Sequence, residues 1–240
     1  MAAKRILHVV SSLGTGSGVM AMLMNYHRHI CRERLQFDYL SFRDTTGTYE
    51  EEIKALGGRV YHISRPSPGG SFRRQMDAFF REHQGEYDTM HCHPLYAAVI
   101  FAPAAKRYGI RRVIQHSHTT RYSDKPLSAA RNRLMLTLFG RRATDFAACS
   151  REAKRLFFWK KPEEVFWLPN AIDLQRFAFS PEARRELRQR YQIPQETTVI
   201  GHVGRFSPEK NHLFLLEVFA GYLRSDPAAR LLLVGDGAMQ

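Results

Sequence analysis

The stretch RILHVVSSLGTGSGVMAMLMN (5–25) contains a short apolar run, a loop rich in glycine and serine, and the start of a longer apolar pattern. The apolar run predicts a β-strand over 5–10, and the pattern after the loop predicts a helix over 19–30. A strand that leads into a helix in this way is the repeating unit of a parallel α/β sheet. The stretch therefore predicts an α/β protein with a doubly wound, Rossmann-like sheet.

The same alternation continues along the chain. Several of the β-rich runs are apolar on both faces, as expected when helices cover both sides of a parallel sheet. The further predicted strands are 37–42, 59–64, 87–92, 111–117 and 145–150, and the predicted helices between strands are 49–57, 72–84, 95–107 and 127–139.

The pattern changes after position 173. SPEARRELRQRYQIPQE (180–196) predicts a short polar helix that Ser180 caps. A new strand, helix and strand are then predicted at 197–204, 211–224 and 229–237.

These changes predict three regions. We expect an N-terminal Rossmann-like domain over 1–173, a linker over 174–196, and the beginning of a second Rossmann-like domain over 197–240. Two strands are too few for an independent sheet, so the second domain is expected to be truncated.

The composition is that of a globular protein with a strongly basic surface. The 240 residues are 44% hydrophobic and 12% aromatic, and the formal net charge is +13. That excess of cations predicts polyanionic partners, namely nucleic acid, an anionic membrane surface or phosphorylated substrates, and charge alone does not choose among them.

No secretion or membrane-spanning signal is recognised. The N-terminal apolar run is short and lacks a small-residue cleavage site, and no run approaches the roughly 20 apolar residues of a membrane span. The scattered Cys31, Cys92 and Cys149 lack metal-ligand spacing and predict buried thiols in a reducing cytoplasm. We therefore expect a cytoplasmic protein.

HVGRFSPEKNH (202–212) places Gly204 and Arg205 at the end of a predicted strand and Lys210 just before a helix. Open α/β sheets bind ligands outside the carboxyl ends of their strands, and an arginine with a lysine suits a pyrophosphate. Ser207 or Asn211 is predicted to cap the helix, whose N-terminus favours an anion. On the residues alone, a phosphate site and a solvated loop both remain open.

Four motifs, in the expected order between residues 148 and 239, are similar to those of family 4 retaining glycosyltransferases of the GT-B fold. GRFSPEKNH (204–212) resembles the family's G-R-x(3–4)-E-K-[GN] segment. ACSREA (148–153) resembles its serine-containing step from strand to helix, and LPNAIDLQRF (168–177) resembles its N-G-[VI]-D-x-x-x-F element, with Ala171 in place of the usual glycine. LLLVGDGAM (231–239) resembles its apolar strand that ends in G-x-G.

The resemblance implies transfer of a sugar, with retention, from a nucleotide-diphospho-sugar to a polysaccharide or lipid-linked acceptor. It implies a UDP-sugar as donor and a role like that of bacterial exopolysaccharide and capsule glycosyltransferases. Arg205 and Lys210 would hold the donor diphosphate beside Gly204, and Gly235 and Gly237 would form a second loop on the donor side. No cofactor and no metal ion is expected to take part.

The family's E-x(7)-E element has no counterpart in this sequence, although it contributes to the donor site. We therefore expect the 240-residue chain itself to be incomplete and inactive. A non-catalytic fragment or binding subunit is the alternative to an enzyme.

The glycine-rich loop after the first predicted strand has two further interpretations. Its G-x-G-x-G spacing departs from the G-x-G-x-x-G fingerprint of dinucleotide sites, so that reading is weak. The resemblance places Gly16 and Gly18 in the interdomain cleft near the donor phosphates, and a merely flexible loop is the alternative.

Two pairs of histidines end predicted strands. A metal site is disfavoured for His116 and His118 because no third ligand lies near them in the sequence, and His91 and His93 are interpreted as structural. The resemblance implies that His118 is a catalytic residue that points toward the transferred sugar, where a neutral imidazole donates to a hydroxyl or orients a carbonyl. A structural histidine at the edge of the core is the alternative.

REAKRLFFWKK (151–161) places Phe157, Phe158 and Trp159 among basic residues. Solvated helix ends usually explain such runs, but peripheral contact with the anionic inner face of a membrane would suit a lipid-linked acceptor. No nucleic-acid recognition module is recognised, so nucleic acid is not an expected partner.

Overall fold

The computed structural model describes residues 3–67, 70–123, 125–158 and 162–237. Two compact units, Met1–Asp173 and Leu174–Gln240, make up the chain. Each unit is described by itself.

The first unit is built on a seven-stranded sheet with strand order β3-β2-β1-β4-β5-β6-β7. Every neighbouring pair is parallel, and the direction of winding reverses between β1 and β4. The prediction of a doubly wound α/β sheet is therefore confirmed. The strands are β1 (Lys4–Val10), β2 (Leu35–Ser41), β3 (Val60–His62), β4 (Thr89–Cys92), β5 (Arg112–Ser117), β6 (Asp145–Ala148) and β7 (Val165–Trp167).

Helices connect these strands, and each helix predicted between strands is present. The sequence did not predict the three-residue strand β7. Helix α6 was indicated only by the resemblance of ACSREA to a step from strand to helix. It begins after Ser150, whose Oγ accepts a hydrogen bond from the Ala153 N–H at 3.1 Å. The helices of this unit are α1 (Gly18–His29), α2 (Glu50–Ala55), α3 (Gly70–Glu82), α4 (Ala97–Arg107), α5 (Pro126–Phe139) and α6 (Arg151–Phe157).

Apolar side chains are buried on both faces of the sheet. On one face Phe80 and Phe101 pack against Leu7 and Met90. On the other face Met20 and Met24 of α1 pack with the β2 side chains. This double covering is the reason that the predicted strands are apolar on both faces.

A buried carboxylate joins β1, β2 and the segments beside them. Asp38 on β2 is inaccessible to solvent and accepts two hydrogen bonds from the Arg5 guanidinium, with Nε at 2.6 Å from Oδ2. The Tyr87 hydroxyl donates to it at 2.8 Å and the Arg59 N–H at 2.7 Å. The hydrogen bond to Asp38 also raises the pKa of Arg5. Every polar contact that a buried carboxylate requires is therefore supplied by the chain.

The second unit contains two parallel strands, β8 (Val199–Val203) and β9 (Arg230–Val234), which α8 (His212–Tyr222) connects. Helix α7 (Pro181–Arg190) precedes them, and the Ser180 side chain caps it as predicted. Apolar side chains such as Val203, Leu213 and Phe214 are exposed in this unit.

Two further features are the burial of the three cysteines and the length of the helices. Cys92 is buried, whereas Cys31 is exposed in the turn after α1 and Cys149 is only partly covered, so burial of all three thiols was a wrong prediction. None of the helices in the described part of the chain is long and apolar enough to cross a bilayer.

Candidate functional site

The loops that follow β8 and β9 lie against each other at the carboxyl edge of the second sheet. The Gly204 N–H donates to the Val234 carbonyl and the Phe206 N–H to the Asp236 carbonyl, both at 2.9 Å. A Cβ atom on Gly235 would lie 1.9 Å from the Gly204 carbonyl oxygen, and one on Gly237 would lie 2.3 Å from that of Phe206. Glycine at 235 and 237 therefore permits the close approach of the two loops. Their contact with a donor stays a prediction.

Arg205 and Lys210 are both exposed at this edge. The Lys210 stem lies over Gly204, since a Cβ atom there would be 3.4 Å from the Lys210 Cδ. Lys210 also ends a 3₁₀ turn over Pro208–Lys210, and its N–H donates to the Ser207 carbonyl at 3.0 Å. The two cations therefore follow the same strand and flank one glycine, an arrangement that suits an anion with two negative charges.

The cap expected for the following helix differs from the prediction. Asn211 occupies the N-cap position of α8 with left-handed backbone angles (φ 48°, ψ 49°), and neither its side chain nor that of Ser207 makes a capping hydrogen bond. The sequence analysis also missed His212, which is buried and stacks on Phe206 with ring centroids 4.5 Å apart. This stack fixes the position of Phe206, which follows Arg205 in the chain. The only signal for the contact in the sequence was that Phe206 and His212 stand on either side of the turn.

The glycine-rich loop of the first unit leads from β1 into α1. Ser17 caps the helix by accepting the Met20 N–H at 3.3 Å, and the Thr15 N–H donates to the Gly47 carbonyl at 2.8 Å. Apart from its immediate neighbours, no atom of the described residues would lie within 4 Å of a Cβ atom on Gly16 or on Gly18. Folding therefore does not require glycine at these two positions, and the predicted role of the loop beside a ligand remains to be tested.

Helix α1 also holds the LPNAID segment of the first unit. The Asn25 side-chain amide donates to the Ala171 carbonyl and the Tyr26 hydroxyl to the Pro169 carbonyl, each at 2.9 Å. The backbone at Pro169 and Ala171 is therefore held by side chains from α1.

Five histidines lie together near the carboxyl ends of three neighbouring strands. β1, β4 and β5 are adjacent, and residues two apart on a strand share a face. Neighbouring rings are in contact, with centroid separations from 3.9 Å for His116 and His118 to 5.5 Å for His93 and His116. The histidine cluster consists of His8 on β1, His91 on β4, His93 just after β4, His116 on β5 and His118 just after β5.

Hydrogen bonds connect three of these rings. His8 Nδ1 lies 3.0 Å from His93 Nε2, and His93 Nδ1 lies 2.8 Å from His118 Nε2. Other buried ring nitrogens have no hydrogen-bond partner in the described part of the chain, namely His8 Nε2, His91 Nε2 and both nitrogens of His116. An unpaired buried polar atom is costly, so this cluster is unusual for a protein core.

Burial keeps the cluster uncharged at neutral pH. Desolvation lowers the pKa of His118 to about 4, that of His8 to about 3 and that of His116 to about 2. It also lowers the pKa of His91 and His93 well below the ordinary value. At pH 7 His118, which is partly exposed, therefore offers a neutral imidazole.

The prediction that His116 and His118 have no third ligand nearby was wrong. His116 and His118 do have a third ring beside them, because β4 carries His93 to their side of the sheet and one nitrogen from each lies within 4.8 Å of the others. His8, His91 and His93 form a second such group. The signal in the sequence was that three predicted strands contain histidines, but the strand order was needed to bring these side chains together.

Two of the three aromatic residues expected at a membrane surface pack within the first unit. Phe157 is buried, with its ring centroid 4.7 Å from that of Tyr122, and the partly buried Phe158 packs on Phe146. Trp159 lies outside the described residues. Exposed apolar side chains occur instead on α5, where the exposed fractions are 88% for Leu127, 59% for Leu134 and 61% for Leu138.

A cavity of about 430 Å³ in the first unit has a basic lining. Phe72 and Tyr96 contribute aromatic surface, and none of the described residues that line the cavity is acidic. Such a lining favours an anionic group. The four arginines are Arg65, Arg73, Arg131 and Arg142.

Comparison with known proteins covers both units. Residues 16–176 match the family Glycosyltransferase Family 4, and residues 183–240 match Glycosyl transferases group 1. EpsF of Bacillus subtilis (strain 168), a candidate glycosyltransferase, is 36% identical over 98% of this chain and 63% of its own length. A GDP-mannose-dependent alpha-(1-6)-phosphatidylinositol monomannoside mannosyltransferase of Mycobacterium tuberculosis is 26% identical over 79% of this chain and 49% of its own length.

The fold is shared with solved structures. Anabaena Alr3699/HepE, solved in complex with UDP and glucose, superposes with a TM-score of 0.74 at 22% identity, over 97% of this chain and 61% of that one. The chain thus spans less than two thirds of the length of these relatives. The predicted GT-B type of α/β fold is confirmed, and the chain belongs to glycosyltransferase family 4.

Proposed function

We propose that this chain is part of a retaining glycosyltransferase that moves a sugar from a nucleotide-diphospho-sugar to a polysaccharide or lipid-linked acceptor. The observation that carries the proposal is the pair Arg205 and Lys210, which flank Gly204 at the carboxyl edge of β8.

Similar proteins support the class of donor. Relatives include a GDP-mannose-dependent mannosyltransferase and a UDP-Gal-dependent galactosyltransferase, and the solved HepE structure contains UDP. These donors differ in base and sugar and share the diphosphate, which is the part that Arg205 and Lys210 are suited to bind. We propose a UDP-sugar as the donor of this protein.

The two cations would act mainly on the leaving group. As the bond between the sugar and the diphosphate breaks, the diphosphate takes the electron pair and its negative charge grows. The planar guanidinium of Arg205 binds two oxygens at once, and the Lys210 ammonium adds a point charge. Stabilisation of developing charge by fixed cations is a large catalytic effect, so the proposed step requires no metal ion.

His118 is the proposed catalytic residue on the acceptor-side unit. Its ring is neutral at pH 7 because burial lowers its pKa to about 4. A neutral imidazole donates a hydrogen bond to a sugar hydroxyl without repelling the positive charge that grows on the sugar ring. Gly16 and Gly18 are proposed to lie beside the donor phosphates.

The surface of the first unit supports an anionic acceptor. The basic cavity lined by Arg65, Arg73, Arg131 and Arg142 suits a phosphate-bearing glycan or lipid. The exposed leucines of α5, with arginines beside them, suit peripheral contact with anionic lipids at the inner face of a membrane.

Isothermal titration with UDP, GDP and pyrophosphate tests the diphosphate site. We expect Arg205→Ala and Lys210→Ala each to weaken binding by roughly tenfold to a hundredfold, because a hydrogen bond to a charged group contributes about 1.5–3 kcal/mol. Arg185→Ala is the matched control, since Arg185 is an exposed cation of the same unit that pairs with Glu182 on α7. Equal affinity of the wild-type, Arg205→Ala and Lys210→Ala proteins would remove this assignment.

A further inference from the structure

We propose that His93, His116 and His118 bind one divalent transition-metal ion, with zinc as the preferred metal. The inference is independent of the diphosphate site, which lies in the other unit. The ion would bind His118 through Nε2, and the Nδ1–H of the same ring would remain to donate to a sugar hydroxyl.

The geometry requires only small movements of the rings. One nitrogen from each of these histidines lies within 4.8 Å of the others, and His93 Nδ1 is already 2.8 Å from His118 Nε2. Tetrahedral zinc with bonds of about 2.0–2.1 Å separates its nitrogen ligands by roughly 3.3 Å. An ion between the rings would therefore replace the proton that now joins His93 and His118.

The unpaired nitrogens of His116 are the second observation. Its ring is inaccessible to solvent, and neither nitrogen has a hydrogen-bond partner in the described part of the chain. A ligand bond would satisfy one of them, which removes part of the cost of burying the ring. Hydrogen bonding within the cluster does not explain why a doubly unpaired imidazole is placed beside two others.

The surroundings of His93 also match those of a metal ligand. With Nδ1 bound to the ion, the proton lies on Nε2, which then donates to His8 Nδ1 at a separation of 3.0 Å. Ligating histidines usually donate their second N–H in this manner, and the partner fixes the tautomer and the orientation of the ring. His8 is accordingly a positioning residue and does not touch the ion.

The chemistry of the ligands determines which metal ion is bound, and their exposure determines which of the two groups of three histidines binds it. Three neutral imidazoles without a carboxylate favour Zn²⁺, Co²⁺, Ni²⁺ or Cu²⁺ over Mg²⁺ or Ca²⁺, which prefer oxygen ligands. His8, His91 and His93 form the competing group, but all three are buried. His118 is partly exposed and provides the route by which an ion and a fourth, water ligand reach the site.

Titration of the tag-free 1–240 chain with Co²⁺, followed by displacement with Zn²⁺, tests the proposal. We expect one ion per chain with the visible absorption of tetrahedral Co²⁺, no binding of Mg²⁺, and a higher melting temperature with Zn²⁺. His116→Gln and His118→Gln should each weaken binding by at least tenfold. His91→Gln is the matched control, because His91 packs on His116 at 5.2 Å but belongs only to the competing group.

Several outcomes would overturn the assignment. These are the absence of binding, binding that survives both His116→Gln and His118→Gln, and binding that His91→Gln abolishes while these two variants retain it. Circular dichroism of each metal-free variant checks folding. If His116→Gln fails to fold, the partly exposed His118→Gln decides the question. UDP affinity is measured in parallel on the same samples, so a failure of the diphosphate site is seen separately.

Discussion

The two units are built from the same strand–helix–strand pattern, yet they differ in how they cover apolar side chains. In the first unit seven strands have helices on both faces, and Leu7 and Val9 are inaccessible to solvent. In the second unit two strands and α8 leave Val203 80% exposed and Leu213 66% exposed. The local pattern therefore specifies a strand or a helix, whereas the burial of its apolar side chains depends on how many neighbouring strands and helices cover that element.

The same difference extends to polar groups. The first unit encloses the Asp38 carboxylate and five clustered imidazoles, whereas Arg205 and Lys210 of the second unit are exposed. Burial removes a polar or charged group from water, whereas an exposed group keeps its hydration. The chemistry available to the first unit is therefore that of desolvated neutral rings, and the chemistry available to the second is that of hydrated cations.

The largest effect expected from this comparison is that of Asp38→Asn. The substitution leaves the Arg5 guanidinium without its buried partner, and it also weakens the bonds from Tyr87 and the Arg59 N–H. Breaking a buried pair costs about 3–5 kcal/mol, so we expect the free energy of unfolding of the first unit to fall by about that amount in urea titrations.

Asp88→Asn is the control for that variant. Asp88 pairs with Arg111 at 3.0 Å, but both side chains are exposed, so its loss is expected to cost less than about 1 kcal/mol. Equal effects of the two substitutions would mean that burial does not distinguish these ion pairs.

An intermediate effect is expected for association through the second unit. Leu213 and Leu216 lie on one face of α8 with 66% and 46% of their surface exposed, so we expect the 1–240 chain to self-associate. The double change of both leucines to serine should weaken association by about 2 kcal/mol, roughly thirtyfold in dissociation constant. Light scattering after size exclusion measures this.

Leu127→Ser is the matched control for association, because it removes an exposed leucine from α5 of the first unit. A monomeric wild-type chain, or an equal effect of Leu127→Ser, would show that the apolar surface of the second unit does not drive association.

The smallest effect concerns the pH dependence of one buried ring. Burial lowers the pKa of His27, and the hydrogen bond from its ring to Gln36 opposes this only in part. As the pH falls below about 6.5, the unfolded chain therefore takes up a proton before the folded chain does. The contribution of His27 to the free energy of unfolding is complete above that pH. It is lost as the pH falls toward the lowered pKa of His27 in the folded chain.

Urea titrations at pH 7.5, 6.5 and 5.5 test the direction of this pH dependence. Wild type is expected to be more stable than His27→Gln at pH 7.5, and the difference should narrow by at most about 1.4 kcal/mol per pH unit below 6.5. His29→Gln changes an exposed histidine at the end of the same helix and is the control. A difference that widens on acidification would contradict the prediction.

The positions of most helices and strands follow from local sequence patterns. The runs 5–10, 37–42 and 111–117 became strands because short runs rich in aliphatic or aromatic residues favour a strand through interactions among a few neighbouring residues. Motifs such as GRFSPEKNH also indicated the family without any structure. β7 was not predicted, since three residues are too few for a clear period, and the seven-residue α6 was indicated only by the motif ACSREA.

Contacts between residues that are far apart in the sequence become visible only in the tertiary structure. His8, His93 and His118 are separated by 85 and 25 positions, and the order β1-β4-β5 brings their rings into one hydrogen-bonded series. The same long-range packing buries Phe157, which its basic neighbours had suggested would face a membrane. Local periodicity reports which face of an element is apolar. It does not report which element will cover that face, because strand order depends on contacts between parts of the chain that are far apart in sequence.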